Sequence, residues 1–309
     1  MMKAVPGKVD FAPLTHCRFC DSADETFTTW LAGVYDLDRG SDQPFTLLQC
    51  RRCGLIQTDP FPTIETISEL YSDGVSTDYE FPEAGLIGRL KDAFAVNSVR
   101  SILRKAKIAP GRILDFGTGA GRFAAACARV VPSATVVGAD FAADPPAGSY
   151  YDGHPARLSY VSYADVSRSS QKFDLIVARH VLEHFHDPRT ALTQWLAALA
   201  PGGALYVEVP NAGSRTARLL GHRWPLWYVP RHLSHFDRRT LHAVIRAAGG
   251  RAEIWRSEIP MMGNVLAMKA GKSRFDARFR VPGVLLYPVQ LALEMASREG
   301  TCLSAVIRS

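Results

Sequence analysis

Downstream of residue 86 the chain repeats one pattern, a short apolar run closed by glycine, proline or an acid, then a longer stretch with apolar residues at helical spacing. The runs are Ile113-Leu114, Ala134 to Ala139, Leu158 to Tyr163, Phe173 to Ala178, Ala204 to Val209 and Cys302 to Ile307. Helical spacing covers 84–107, with Leu86, Leu90, Phe94, Val99 and Leu103 as its apolar positions, then 123–131, 188–199 and 239–248. Short continuous apolar runs read as strands buried on both faces, and the stretches between them as crossover helices. The pattern therefore predicts an α/β fold with a doubly wound, Rossmann-like parallel sheet. Ligands of such sheets sit at the carboxyl ends of the strands, where Asp140, Asp165 and His180 all fall.

The flanks follow other rules. Thr63 to Tyr71 has helical spacing with Thr63 as N-cap, and 72–84 reads as a loop carrying aromatic residues. Val281 to Met295 is strongly apolar but holds Pro282 and Pro288, which limit its helical length. These breaks divide the chain into a module at 1–62, a linker helix and loop at 63–85, and a main domain at 86–309 with an apolar insert near 275–298.

Composition adds three constraints. At 309 residues and 47% hydrophobic, the chain can bury one large core and a small one. The first residues lack the apolar core of a signal peptide, and no apolar run approaches the roughly 18 residues of a membrane span, so a cytoplasmic location is expected. Net charge is +6, but residues 211–309 hold 16 Lys and Arg against 6 Asp and Glu, which favours an anionic acceptor or surface. The basic flanks of 281–295 allow a peripheral membrane contact there, although covering the sheet or forming a dimer contact is the preferred reading.

Cys17-Arg-Phe-Cys20 and Cys50-Arg-Arg-Cys53 are two matched pairs. Each presents two thiolates from one tight turn, and together they complete a tetrahedral zinc site of the ribbon type, with Phe45 to Gln49 as a strand between them. A closed four-cysteine site is structural, so no chemistry is assigned to its metal.

The chemistry-bearing stretch is Ile113 to Phe123, ILDFGTGAGRF. It reads as strand, tight turn and helix, with Gly117, Gly119 and Gly121 leaving backbone amides open to a ligand. Asp140, at the tip of the next strand, is placed to accept hydrogen bonds from both hydroxyls of a ribose lying over that turn. A nucleoside-bearing cofactor is the expected ligand.

Asp115 to Gly121, Asp140, Phe173-Asp174 with HVLEH at 180–184, and Pro201-Gly-Gly203 resemble the class I S-adenosylmethionine-dependent methyltransferases. The cysteine module and the segment Trp227 to Phe236 extend the resemblance to a bacterial subgroup with an N-terminal zinc-binding domain, related to sugar C-methyltransferases. The resemblance implies a seven-stranded sheet and S-adenosylmethionine held by Asp115, Phe116, Gly117, Gly119, Gly121, Asp140, Phe141, Asp165 and Arg179. It also implies methyl transfer to a small molecule, a sugar or nucleotide sugar of a cell-surface or secondary-metabolite pathway. Sugar C-methyltransferases carry Tyr-x-Glu-His where this chain has Val229-Pro230-Arg231-His232, and only His232 matches.

For the acceptor side, histidine is the usual group for taking a proton near neutral pH. His232 is the first candidate as base and His180 the second, near the methyl group; His184 and His235 follow. Glu183 and His184 are read as beginning the next helix, and a metal site on His180, Glu183 and His184 is disfavoured. The competing functions are O- or N-methylation of a secondary metabolite or lipid-linked intermediate, and a zinc-ribbon nucleic-acid-binding protein. Nucleic acid is the weaker partner, because the ribbon is not unusually basic and the cofactor residues would have no use.

Overall fold

The computed structural model describes residues 9–36, 42–67, 69–72, 81–152, 157–272, 277–297 and 299–309. Near the N-terminus, β1 (Phe27–Tyr35), β2 (Pro44–Cys50) and β3 (Ile56–Asp59) form an antiparallel sheet. The main domain then runs α1 (Gly85–Ala106), β4 (Arg112–Phe116), α2 (Arg122–Val130), β5 (Thr135–Asp140), β6 (Leu158–Ser162), α3 (Tyr163–Arg168), β7 (Phe173–Arg179), α4 (Pro188–Ala197) and β8 (Leu199–Pro210). It continues with β9 (Ser234–His235), α5 (Arg238–Ala247), β10 (Arg251–Ser257), α6 (Met262–Lys269), α7 (Arg280–Ser297) and β11 (Cys302–Arg308).

Seven strands make the large sheet, in the order β10-β11-β8-β7-β4-β5-β6. Strands β8, β7, β4, β5 and β6 are parallel, and β11 enters antiparallel between β8 and β10. The strand order reverses at β4, so the ends of β4, β5 and β7 open a crevice there. Successive residues of β4 feed opposite cores. Leu114 packs with Trp195, Leu241 and Val244 of the helices on one face, and Ile113 with Val99, Ile102 and Cys127 on the other. Burial on both faces is why these strands read as unbroken apolar runs.

The structure departs from the sequence expectations in three of these elements. Among the described residues of the predicted 63–71 helix, Thr63 to Ile67 forms turns and α-helix begins at Glu69, in the short segment Glu69–Ser72. The loop at 72–84 lies mostly outside the described residues. Helix α1 forms as expected but buries Ala95, Val99, Ile102 and Ala106, leaving Leu86, Leu90 and Phe94 exposed. Helix α7 runs straight through Pro288 for 18 residues. Pro282 falls in its first turn, where a missing N–H costs nothing. The helix turns Val281, Val284, Leu285 and Val289 outward, and among the described residues no helix is long and apolar enough to cross a membrane.

The boundary drawn at residue 62 is crossed by a β-ladder. Strand β9 pairs antiparallel with β3, Ser234 opposite Gln57 and His235 opposite Ile56, making the N-terminal sheet four-stranded. The segment after β8 is thereby fixed between the N-terminal module and the crevice.

Candidate functional site

The glycine turn takes the conformation its residues allow. Gly117, Gly119 and Gly121 all have positive φ, at 77°, 53° and 85°, which side chains with a Cβ rarely adopt. A Cβ on Gly117 would lie 2.3 Å from Val181 Cγ2. The turn is fastened to the tip of β5: the Gly119 N–H donates to Asp140 Oδ2 at 2.7 Å, and the Phe141 N–H to Oδ1 at 2.8 Å. Burial pushes the Asp140 carboxyl up, against the pull of those two amides. Asp115 is buried below the turn and accepts from the Thr118 hydroxyl at 2.8 Å. Burial raises it to about 6.

These groups line a cavity of about 410 Å³ at the carboxyl ends of β4, β5 and β7. Asp115, Gly117, Gly119, Asp140 and Phe141 line it together with His180, His184 and His232. The size is that of a small-molecule pocket. Phe141 stacks on Tyr71, with ring centroids 5.7 Å apart.

Beyond β7 the chain turns sharply at His180, whose φ is +53°. Its Nε2 lies 3.4 Å from Glu208 Oε1 and its Nδ1 3.6 Å from Glu183 Oε1. Burial opposes a charge on this imidazole, but the two carboxylates outweigh it and raise His180 to about 9. It is therefore a cation at neutral pH, unsuited to take up a proton. Burial would favour the neutral acid of Glu208, yet Arg179, with Nε at 3.4 Å, and His180 hold it below the usual carboxylate range. Arg179 itself lines the cavity.

His232 is buried, with Nδ1 2.9 Å from the Leu226 carbonyl. A carbonyl only accepts, so Nδ1 carries a proton. His184 Nδ1 lies 3.1 Å from the Arg231 carbonyl and 2.9 Å from the Tyr71 hydroxyl.

Three expected site residues stand elsewhere. Asp165 is the third residue of α3 and closes a capping box with Ser162, the Ser162 hydroxyl donating to it at 2.7 Å. It is solvent-exposed and does not line the cavity, because helix-capping geometry claims its carboxylate. Phe116 turns into the core, stacked on Tyr163 at 4.2 Å, as alternation along β4 requires. Gly121, the N-cap of α2, packs under Tyr151, where a Cβ would come within 2.4 Å of Cε2. His235 is bonded to Thr58 and does not reach the cavity. His180, Glu183 and His184 share no helical face, since the 3-10 turn begins only at Leu182.

Sequence reasoning missed Val181, Tyr163, Met261 and Asn264 as lining residues. No motif announces them; they arrive by chain folding, the last two from α6 and the residue before it.

The four cysteines converge on one point. Cys17 and Cys53 Sγ lie 3.6 Å apart, Cys20 and Cys50 3.7 Å, and none is in a disulfide. Zinc–sulfur bonds of about 2.3 Å place tetrahedral sulfurs about 3.8 Å apart, so the set fits a tetrathiolate zinc. Hydrogen bonding from the Cys53 thiol holds Cys17 below the ordinary thiol range.

Comparison with known proteins matches a family model described as a methyltransferase domain over residues 90–251. The ubiquinone biosynthesis O-methyltransferase of Cereibacter sphaeroides is 28% identical over 148 residues, 45% of this chain and 59% of that protein. An uncharacterized methyltransferase of Mycobacterium tuberculosis is 33% identical over 95 residues, 31% of this chain and 48% of the relative. The chain thus spans about three fifths or less of the length of the curated relatives it matches. Among solved structures, a cyclopropane-fatty-acyl-phospholipid synthase-like protein from Lactobacillus casei aligns with a TM-score of 0.47 and 17% identity, over 74% of this chain and 96% of that one. The plantazolicin methyltransferase BpumL in complex with SAH aligns with 0.45 and 16%, over 69% and 81%.

Proposed function

The chain belongs to the methyltransferase domain family, and on that premise we propose that it moves the methyl group of S-adenosylmethionine to an oxygen of a small-molecule acceptor. One observation carries this reading: a single cavity is lined by the glycine turn and Asp140 together with three imidazoles. The turn and Asp140 suit the donor, since the Asp140 carboxylate, oriented by two amides, would accept from ribose hydroxyls, and Gly117 leaves room for close approach. Asp115, Gly119, Phe141 and Arg179 complete the donor's surroundings in this reading. S-adenosylmethionine brings a methyl group already activated on a sulfonium, so the protein's work is alignment and exclusion of water.

On the acceptor side, His180 contributes positive charge, and His232 is the general base. Methylation on oxygen is supported by the ubiquinone biosynthesis O-methyltransferase relatives. Arg231, standing where sugar C-methyltransferases have Glu, is 1% exposed, donates to the Leu70 carbonyl and lies 3.6 Å from Asp36. It does not line the cavity, so no carboxylate replaces the C-methylation residue at that position. A sugar or nucleotide-sugar acceptor is the narrower form of the proposal and rests on the sequence resemblance.

Calorimetric titration with S-adenosylmethionine tests the donor: one molecule should bind per chain, and no binding overturns the reading. Incubation of labelled donor with hydroxylated small molecules tests the acceptor atom. Label recovered in an ether is expected; label on carbon refutes O-methylation.

A further inference from the structure

Gln57 is fully buried on β3, and its amide is oriented by what lies against it. The Arg18 backbone N–H, which can only donate, lies 3.0 Å from Oε1, so Nε2 is the donor that faces Cys17 Sγ at 3.3 Å. Sulfur accepts weakly as a thiol and more strongly once it carries charge. A metal held by the four cysteines keeps its sulfurs deprotonated, so the bond between Gln57 and Cys17 is strongest when that site is filled.

Successive side chains of a strand point to opposite faces, and on β3 this alternation sends Thr58 the other way. Its hydroxyl donates to the His232 carbonyl at 2.7 Å, and its N–H to the Leu233 carbonyl at 3.1 Å. Gln57 is the register partner of Ser234. Arg18 spans both positions, since its Nη2 also donates to the Thr58 carbonyl, at 3.5 Å. The Leu233 N–H continues to the Glu183 carbonyl at 2.8 Å, on the segment that follows β7. Cys17, Gln57, Thr58 and His232 are all buried. A bond broken in such a path leaves a group with neither partner nor water, so its links move together.

We propose that Gln57 and Thr58 are positioning residues through which metal occupancy of the four cysteines sets the place of His232 in the cavity wall. With zinc bound, Gln57 is drawn to Cys17 and Thr58 holds the His232 carbonyl. With the metal removed, the thiols draw the Gln57 amide less, β3 loosens there, and residues 232–235 lose their register on it. Asp140 takes its amide bonds from Gly119 and Phe141, outside this path, so donor affinity should not follow zinc. The relay stands on its own bonds; only its bearing on the acceptor rests on the methyl-transfer reading.

The test reads His232 directly, by nuclear magnetic resonance of the whole chain with labelled histidine, the His232 signal being assigned by its absence from His232→Gln. Removing zinc with a chelator should move that signal, and added zinc should restore it. Gln57→Leu keeps the four cysteines. It should still take one zinc per chain at saturation, with zinc affinity lower by about tenfold or more, and should move the signal with zinc in place. Thr58→Val should move it too, whereas Thr58→Ser, which keeps the hydroxyl, should leave it where it is. Should either chelation or Gln57→Leu unfold the chain, the other decides. A signal unmoved by zinc removal from the folded chain, or by folded Gln57→Leu, overturns the relay. Movement of the signal in a chain that binds no S-adenosylmethionine would refute methyl transfer and leave the relay standing; donor binding with an unmoved signal refutes the relay alone.

Discussion

Thr58 and His235 are bonded across 177 residues of chain, with Oγ1 2.9 Å from Nε2. The hydroxyl has one proton, and the His232 carbonyl at 2.7 Å takes it, so His235 Nε2–H must be the donor to Thr58. One threonine of the cysteine module thus fixes the tautomer of one histidine and the backbone of another.

Thr58→Val removes both bonds at a buried site, leaving an N–H and a carbonyl without partners. A loss of about 1–3 kcal/mol is expected, measured by denaturant unfolding; an unchanged midpoint would show the contact to be idle.

Burial lowers His235 to about 3, with Arg18 nearby adding to the effect. The unfolded chain binds this proton near pH 6.5 and the folded chain only near 3. Its stabilising contribution is therefore complete above pH 6.5 and is lost as pH falls toward 3, at up to about 1.4 kcal/mol per unit. Thermal melts between pH 7 and 5 should fall less steeply in His235→Gln than in the parent.

His180 has the opposite sign. Raised to about 9 by Glu183 and Glu208 against the effect of burial, it stabilises fully below pH 6.5 and loses that contribution as pH rises through 9. Nuclear magnetic resonance of the imidazole should find it still protonated at pH 7.5. Glu208→Gln should bring the titration down toward the ordinary histidine range; an unmoved midpoint would refute the coupling.

The donor assignment separates two acids that look alike along the chain. Gly117→Arg should abolish S-adenosylmethionine binding, since even a Cβ there meets Val181, and Asp140→Ala should weaken it by about tenfold or more, the loss of a charge-assisted pair of bonds. Asp165→Ala should leave affinity unchanged and only loosen α3. Calorimetry on the three variants decides, and a loss in Asp165→Ala would return that residue to the site.

Metal analysis should find about one zinc per chain at the cysteines. Cys17→Ser should lower both the zinc content and the unfolding midpoint; full zinc retention in a stable variant would contradict the tetrathiolate.

That Asp140 lines the cavity and Asp165 does not follows from physics. A strand tip beside a glycine turn has one outlet for its carboxylate, whereas an acid three residues after a serine has a competing local use as a helix cap. The cysteine site was legible because spacing alone fixes two thiolates per turn. Phe116 was misplaced by one step of strand alternation. The rest of the cavity lining was legible only in part, since Glu183 and His232 are 49 positions apart in the chain and are brought together by tertiary packing alone.

The pairing of β9 with β3 has a consequence for how the chain can be cut. The matched family region, 90–251, contains β9 but lacks the strand it docks on. Expressed by itself, it would leave Ser234 and His235 without the strand they pair with and the His232 carbonyl without the Thr58 hydroxyl. Cutting the chain at residue 62 would therefore sever a β-ladder's supports rather than a linker, and the cysteine-bearing sheet and the segment at 232–235 have to be kept together.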